Sequence, residues 1–250
     1  MLGLLAERWG QRGATIRFPE DADAMLPASY RGRPEISGAP CAADCAACAE
    51  ACPANAIVVE NGTVRLDLGA CLFCGECAQV CPQEKIKFTR DYRMAVRTRE
   101  ELWIDEIRSY RLAHQYEDNR FDRSFRLRQV SAGGSGAEEA EIAVLHTVVF
   151  DQARWGIQVV ASPRHADAMA VTGPVSMAMR EALHITYDAV PAPKLVIAVG
   201  ASAISGGPWR GQPEVAGGVA AELPVDLFIP GFPPHPLTIL DGLLRLLGRI

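Results

Sequence analysis

Eight cysteines carry the chemistry of this sequence, and all of them fall between Cys41 and Cys81. They form two runs, Cys41-x3-Cys45-x2-Cys48-x3-Cys52-Pro53 and Cys71-x2-Cys74-x2-Cys77-x3-Cys81-Pro82. Three thiolates on one tight loop can cap three irons of a cubane, and the fourth iron then needs a thiolate from elsewhere in the chain. Structural zinc and disulfides are the competing chemistries. Zinc usually takes paired C-x2-C knuckles with a long gap between them, whereas each run here offers four thiolates. A reducing compartment also makes cofactor binding a better use of these thiols than disulfides.

The second run has the spacing of the bacterial ferredoxins, in which the cysteine before proline ligates the other cluster. On that pattern one 4Fe-4S cluster takes Cys41, Cys45, Cys48 and Cys81, and a second takes Cys71, Cys74, Cys77 and Cys52. The first run carries one residue more between its first two cysteines, so Ala42 stands where the regular spacing puts a ligand. The expectation is that the longer loop still delivers Cys41; the alternative is a lost iron or recruitment of Asp44.

The elements that must hold these loops can be read around them. Ala56 to Leu66 reads as two short strands about Asn61-Gly62, a dipeptide suited to a tight hairpin turn. Lys85 to Thr89 reads as a strand after the second run, which makes the region an internal repeat of about 30 residues. Composition divides the chain into a cysteine-rich zone, residues 1–100, a charged connector, 101–129, and an Ala/Val/Gly-rich zone, 130–250. The connector, with Trp103, Ile104, Ile107, Tyr110 and Leu112 among charges, reads equally as a packed helix or a solvated linker. In the last zone the expected strands are Ile157 to Ala161, Ala168 to Thr172, Leu195 to Gly200 and Val225 to Pro230. Helices are expected over Val175 to Tyr187, with Pro174 in the first turn, and over Leu237 to Leu247. This alternation argues for a parallel α/β sheet.

Charge and hydropathy exclude some classes of function. With 25 Lys+Arg against 30 Asp+Glu and a net charge of -5, the chain has no basic excess with which to hold nucleic acid. No apolar run reaches the roughly 18 residues of a membrane span. The start, Met1 to Gly10, meets Glu7 and Arg8 too early for a secretory signal, so the chain is expected in the cytoplasm. Gly206-Gly207 lacks the partners of a phosphate loop, and no Ser-His-Asp or Cys-His arrangement has a local signature.

Residues Tyr30 to Thr89, including Arg31-Gly32-Arg33-Pro34-Glu35 and Leu72-Phe73-Cys74-Gly75, resemble the two-cluster ferredoxin-like subunit of formate hydrogenlyase and complex I. From Val130 the chain resembles another family, the small iron-sulfur subunit of membrane-bound group 4 NiFe-hydrogenases and its complex I homologue. The residues that carry this second likeness are Ser162-Pro163-Arg164-His165-Ala166-Asp167, Thr172-Gly173-Pro174-Val175, Pro193-Lys194, Gly200 to Gly207, and Pro224-Val225-Asp226 through Pro230-Gly231-Phe232-Pro233-Pro234. The chain thus looks like a natural fusion of the two. The resemblance implies an α+β ferredoxin-like domain followed by an α/β domain with a mostly parallel, flavodoxin-like sheet.

The small-subunit family holds a 4Fe-4S cluster of its own on four cysteines. Their matching positions here are Ala137, Ala140, Ser202 and Phe232, so no thiolate remains. The sequence suggests how such a vacated site closes: Ser135 and Glu138 as a capping box for a helix running on to Phe150, and a buried Phe232 ring in the cubane's space. Arg164 and His165 read as a polar turn.

The function these likenesses imply is an iron-sulfur electron-transfer subunit, with no complete active site of its own, in a membrane-associated hydrogenase-like or complex I-like oxidoreductase. The alternative is a redox-responsive scaffold or coupling subunit with no onward electron relay. Partners would be a large subunit, membrane subunits and a redox donor or acceptor protein, on the inner face of the cytoplasmic membrane.

Overall fold

A computed structural model describes residues 14–106, 110–116, 121 and 123–250. The expectations placed on Met1 to Gly10 and on Ile107 lie outside the described residues. Helix α1 (Ala22–Met25) precedes the cysteine zone, which contains β1 (Pro34–Ile36), α2 (Ala47–Glu50), β2 (Ile57–Glu60), β3 (Thr63–Asp67), α3 (Glu76–Val80), β4 (Ile86–Phe88) and β5 (Trp103–Ile104). Strands β2 and β3 pair antiparallel across Asn61 and Gly62, whose φ angles of 51° and 78° are those a two-residue hairpin of matching twist requires. β1 closes on β4, with Pro34 opposite Phe88 and Ile36 opposite Ile86.

The start of the connector is neither an α-helix nor a free linker: a single 3-10 turn, Glu100–Leu102, leads into β5. β5 adds a third strand beside β3, setting Ile104 opposite Leu66, and Arg65 stacks on the Trp103 ring at 4.9 Å. Its two residues pair with a strand far back in the chain, so local periodicity carries no trace of them. Further on, Tyr110 donates its hydroxyl to the Met94 carbonyl at 2.5 Å and lies under the Arg33 guanidinium.

The α/β zone contains β6 (Phe125–Ser131), α4 (Ala137–Val144), β7 (Ile157–Val159), β8 (Ala168–Thr172), α5 (Met177–Ala189), β9 (Leu195–Val199), α6 (Gly200–Ser205), β10 (Leu227–Ile229) and α7 (Pro236–Leu246). Five parallel strands run in the order β10-β9-β8-β6-β7. Counted from β6 this is 2-1-3-4-5, the doubly wound flavodoxin-like order. Every residue of β8 and β9 is buried, as a parallel sheet covered on both faces demands. β6 starts at Phe125, five residues before Val130, because Phe125 and Leu127 alternate into the core. α5 starts after Ser176 rather than on Pro174. α7 does carry proline in its first turn, and His235 Nδ1 accepts the Leu237 N–H at 3.2 Å.

One hydrophobic core joins the cysteine zone to the sheet. Leu66, Leu68 and Leu102 belong to the same buried cluster as Ala203, Ile204 and Phe228. At Gly69 the approach is so close that a Cβ would stand 2.7 Å from Ile204 Cγ2 and 2.9 Å from Leu102 Cδ1, so a larger residue there would push these buried side chains aside. Val96 and Phe228 exchange two backbone hydrogen bonds, at 3.0 and 2.9 Å. Among the described residues no helix is long and apolar enough to cross a membrane.

Candidate functional site

The eight cysteines surround two cavities. One is lined by Cys41, Cys45, Cys48 and Cys81, the other by Cys52, Cys71, Cys74 and Cys77. Each therefore draws three thiols from one run and the fourth from the Cys-Pro end of the other. The local backbone dictates the crossing. Cys48 and Cys77 sit on α2 and α3, single turns that follow the cysteine loops, and each Cys-Pro pair lies just beyond the end of its helix. The longer first loop turns at Asp44, with φ 57°, and leaves that carboxylate exposed while Cys41 faces the cavity. All eight are free thiols. Among the described residues no three His, Cys, Asp or Glu side chains converge on one ion. A cubane takes each thiolate on a different iron, so thiols around it need not converge as those of a zinc site must.

Backbone N–H groups already point at the sulfurs: Ala56 to Cys52 Sγ at 3.2 Å, Phe73 to Cys71 Sγ at 3.3 Å and Lys85 to Cys81 Sγ at 3.3 Å. Burial pushes the Cys71 thiol up to about 12 and the Cys77 thiol up to about 11, and it raises Cys48 as well. An iron-sulfur group held here would take these sulfurs as thiolates, so its binding would displace the protons.

Residues outside the two runs hold the loops. Arg31 Nε donates to the Phe73 carbonyl at 2.7 Å, bracing the second cysteine loop, and Gly32 lets the chain pass Asp91, whose carbonyl oxygen would be 2.3 Å from a Cβ there. Buried Asp67 accepts the Gly69 N–H at 2.9 Å, its carbonyl accepts the N–H of Cys71, and Arg99 clamps its carboxylate with two nitrogens. Because Arg99→Leu leaves that buried carboxylate without its cation, it is expected to cost about 3–5 kcal/mol in chemical denaturation. Asp67 and Arg99 have no signature in the sequence, since nothing local pairs residues so far apart. Arg31 belongs to the ferredoxin-like motif, but the motif does not reveal its partner.

The positions that the resemblance matches to the small-subunit ligands follow the carboxyl ends of β6, β9 and β10. Gly136, with φ 88°, caps α4, so Ala137 is the first helical residue and Ser135 is left outside, its hydroxyl 3.4 Å from the Ala137 N–H. Glu138 does not return to the helix start. It is 1% exposed and accepts the Ser202 hydroxyl at 2.9 Å, and Gly200 gives it space, since a Cβ there would lie 2.7 Å from Glu138 Cγ. Glu139 fastens the same turn by accepting the hydroxyls of Ser131 and Thr172, at 2.5 and 2.7 Å. Ala140 is exposed and Phe232 only half-buried. The expected capping box and buried ring are thus corrected, and the helix stops at Val144 rather than Phe150. Arg164 and His165 are exposed on the turn between β7 and β8.

Residues 40–85 match the 4Fe-4S dicluster domain, and residues 136–246 match the family described as NADH ubiquinone oxidoreductase, 20 Kd subunit. The chain is 37% identical to the probable membrane-bound hydrogenase subunit mbhJ of Pyrococcus furiosus over 121 residues, which are 48% of this chain and 72% of that one. The chain belongs to the NADH ubiquinone oxidoreductase 20 Kd subunit family. It is also 41% identical to formate hydrogenlyase subunit 7 of Escherichia coli over 51% of this chain and 50% of that one. With an NADH-quinone oxidoreductase subunit of Bacteroides thetaiotaomicron it shares 41% identity over 44% of this chain and 56% of the other. It spans about half the length of these last two.

In this 20 Kd subunit-family domain the donor set at Ala137, Ala140, Ser202 and Phe232 does not fit an iron-sulfur group, because alanine and phenylalanine carry no donor atom. Ser202, one of the four, is instead hydrogen-bonded to the buried Glu138 carboxylate. Phe232→Ala is therefore expected to lower stability by about 1 kcal/mol in denaturant titration, far from the roughly 3–5 kcal/mol of a fully buried ring.

Proposed function

We propose that the chain is an iron-sulfur electron-transfer subunit of a membrane-associated hydrogenase-like or complex I-like complex, facing the cytoplasm and lacking an active site of its own. In this reading it holds two 4Fe-4S clusters, one on Cys41, Cys45, Cys48 and Cys81 and the other on Cys52, Cys71, Cys74 and Cys77. The observation that carries it is the crossed lining of the two cavities by three cysteines of one run and the Cys-Pro cysteine of the other. Bound clusters supply one-electron storage at potentials set by their surroundings. The residues around them do the rest: the N–H groups of Ala56, Phe73 and Lys85 stabilise negative sulfur, the apolar walls Ile57, Leu66 and Ile86 keep water out, and Arg31 and the Asp67–Arg99 pair fix the loops. The 20 Kd subunit-family domain, residues 130–250, docks the module on a large subunit and membrane subunits.

The thiolate-free positions Ala137, Ala140, Ser202 and Phe232 favour a second reading, a scaffold or coupling subunit whose clusters pass no electrons onward. Stopped-flow reoxidation separates the two. Dithionite-reduced clusters in the isolated complex should be reoxidised rapidly by quinone, protons or a carrier protein if the first holds. Clusters that stay reduced with every acceptor would support the scaffold.

A further inference from the structure

The two halves of the cysteine module repeat at Cys52-Pro53-Ala54-Asn55-Ala56-Ile57 and Cys81-Pro82-Gln83-Glu84-Lys85-Ile86. The backbone is the same in both. Asn55 and Glu84 turn with φ 48° and 49°, and the next residue, Ala56 or Lys85, donates its N–H to the cysteine sulfur four residues back. Ala56 and Lys85 are each 1% exposed. The halves differ in what this buried position presents: a methyl group beside the Cys52, Cys71, Cys74, Cys77 cavity, and a lysine lining the Cys41, Cys45, Cys48, Cys81 cavity. Lysine is almost never fully buried without a partner. Here its Nζ donates to the Ala39 carbonyl at 2.6 Å and forms an ion pair with Glu106 Oε1, also at 2.6 Å. Lys85, not Glu106, lines the cavity.

We propose that Lys85 makes the two iron-sulfur groups unequal, raising the reduction potential of the group at Cys41, Cys45, Cys48 and Cys81 above that of the group facing Ala56. Lys85 is a positioning residue, and the inference rests on the two-cluster reading above. Reduction adds one electron from the donor and neither makes nor breaks a bond, so the cavity gains a unit of negative charge. A cation held in a poorly screened interior stabilises that charge. Glu106 opposes it from farther out, so the pair sets how much of the lysine charge the group feels. Electrons entering the module settle first on the Lys85 side.

The test is an EPR-monitored redox titration of the full chain, prepared anaerobically. The unsubstituted chain should show two separated midpoints. Lys85→Met is expected to move only the higher one to more negative potential, so that at a fixed potential the reduced-to-oxidised ratio of that group falls about tenfold, ~59 mV for one electron. Glu106→Gln should move the same midpoint the other way. A merely structural role would not give opposite shifts. If Lys85→Met fails to fold, Glu106→Gln decides alone: a positive shift supports the inference, and unmoved midpoints overturn it, as do shifts of both variants in one direction. Iron is counted on the same samples. About four irons in the unsubstituted chain overturn the two-cluster reading and this one together, whereas about eight with unmoved midpoints overturn this one alone.

Discussion

A chain carrying Cys77→Ala is expected to hold about four irons instead of about eight and to melt well below the unsubstituted chain. Cys77 is buried on α3 and lines the cavity with Cys52, Cys71 and Cys74, so its loss opens one coordination position at the centre of the module. The elements around it cannot stand alone. α2 and α3 have four and five residues, and the strands they connect have three to five. Helices that short are marginal in water, and small modules of this kind take much of their folding energy from the metal. Iron analysis and thermal unfolding followed by circular dichroism read both effects. Full iron content with an unchanged melting temperature would show that Cys77 is no ligand.

Ile204→Ala is expected to cost about 2–5 kcal/mol, although Ile204 lies on α6, far along the sequence from any cysteine. Its side chain is 3% exposed and packs over Gly69 from across the chain, within the cluster that also holds Leu102, Cys71 and Cys77. The cavity it leaves therefore weakens both halves at once. Visible absorption of the clusters and far-ultraviolet circular dichroism should fall together, at one shifted midpoint. Separate transitions, with only the later one moved, would show that the core is not shared in the way the Gly69–Ile204 contact indicates.

How far the sequence can be read depends on how local each determinant is. Asn61-Gly62 turns a hairpin by its own φ preferences, and the cysteine spacings are set within single loops, so both are legible in the residues alone. Four of the five strands of the parallel sheet are legible as apolar runs, with their ends trimmed by no more than two residues, because burial on both faces leaves little else they could be. β6 is not, because its apolar residues alternate with arginines and it crosses the composition boundary at Val130. The failures are tertiary. Ser135 and Glu138 have the spacing of a capping box, but the positive φ of Gly136 moves the helix start past Ser135, and Ser202, from across the sheet, claims the carboxylate. Trp103–Ile104 is a strand only because β3 is there to receive it. Phe232 reads as a filler because a large ring stands where the resemblance puts a cysteine; in the fold the ring is only half-buried, which its residue type does not reveal. Lys85 reads as a surface residue by type. The signal that marks it is the repeat itself, where Ala56 occupies the matching position.

The most direct test of the two-cluster assignment is a count of iron and acid-labile sulfide in anaerobically purified chain, joined to Mössbauer spectra of the same sample. The expected result is about eight irons and eight sulfides per chain, all in four-iron groups, with visible absorption that bleaches on reduction. About twelve irons would place a group at the thiolate-free positions, and about four, or a substantial three-iron signal, would mean that the Cys41 loop does not complete its site; either result contradicts the assignment.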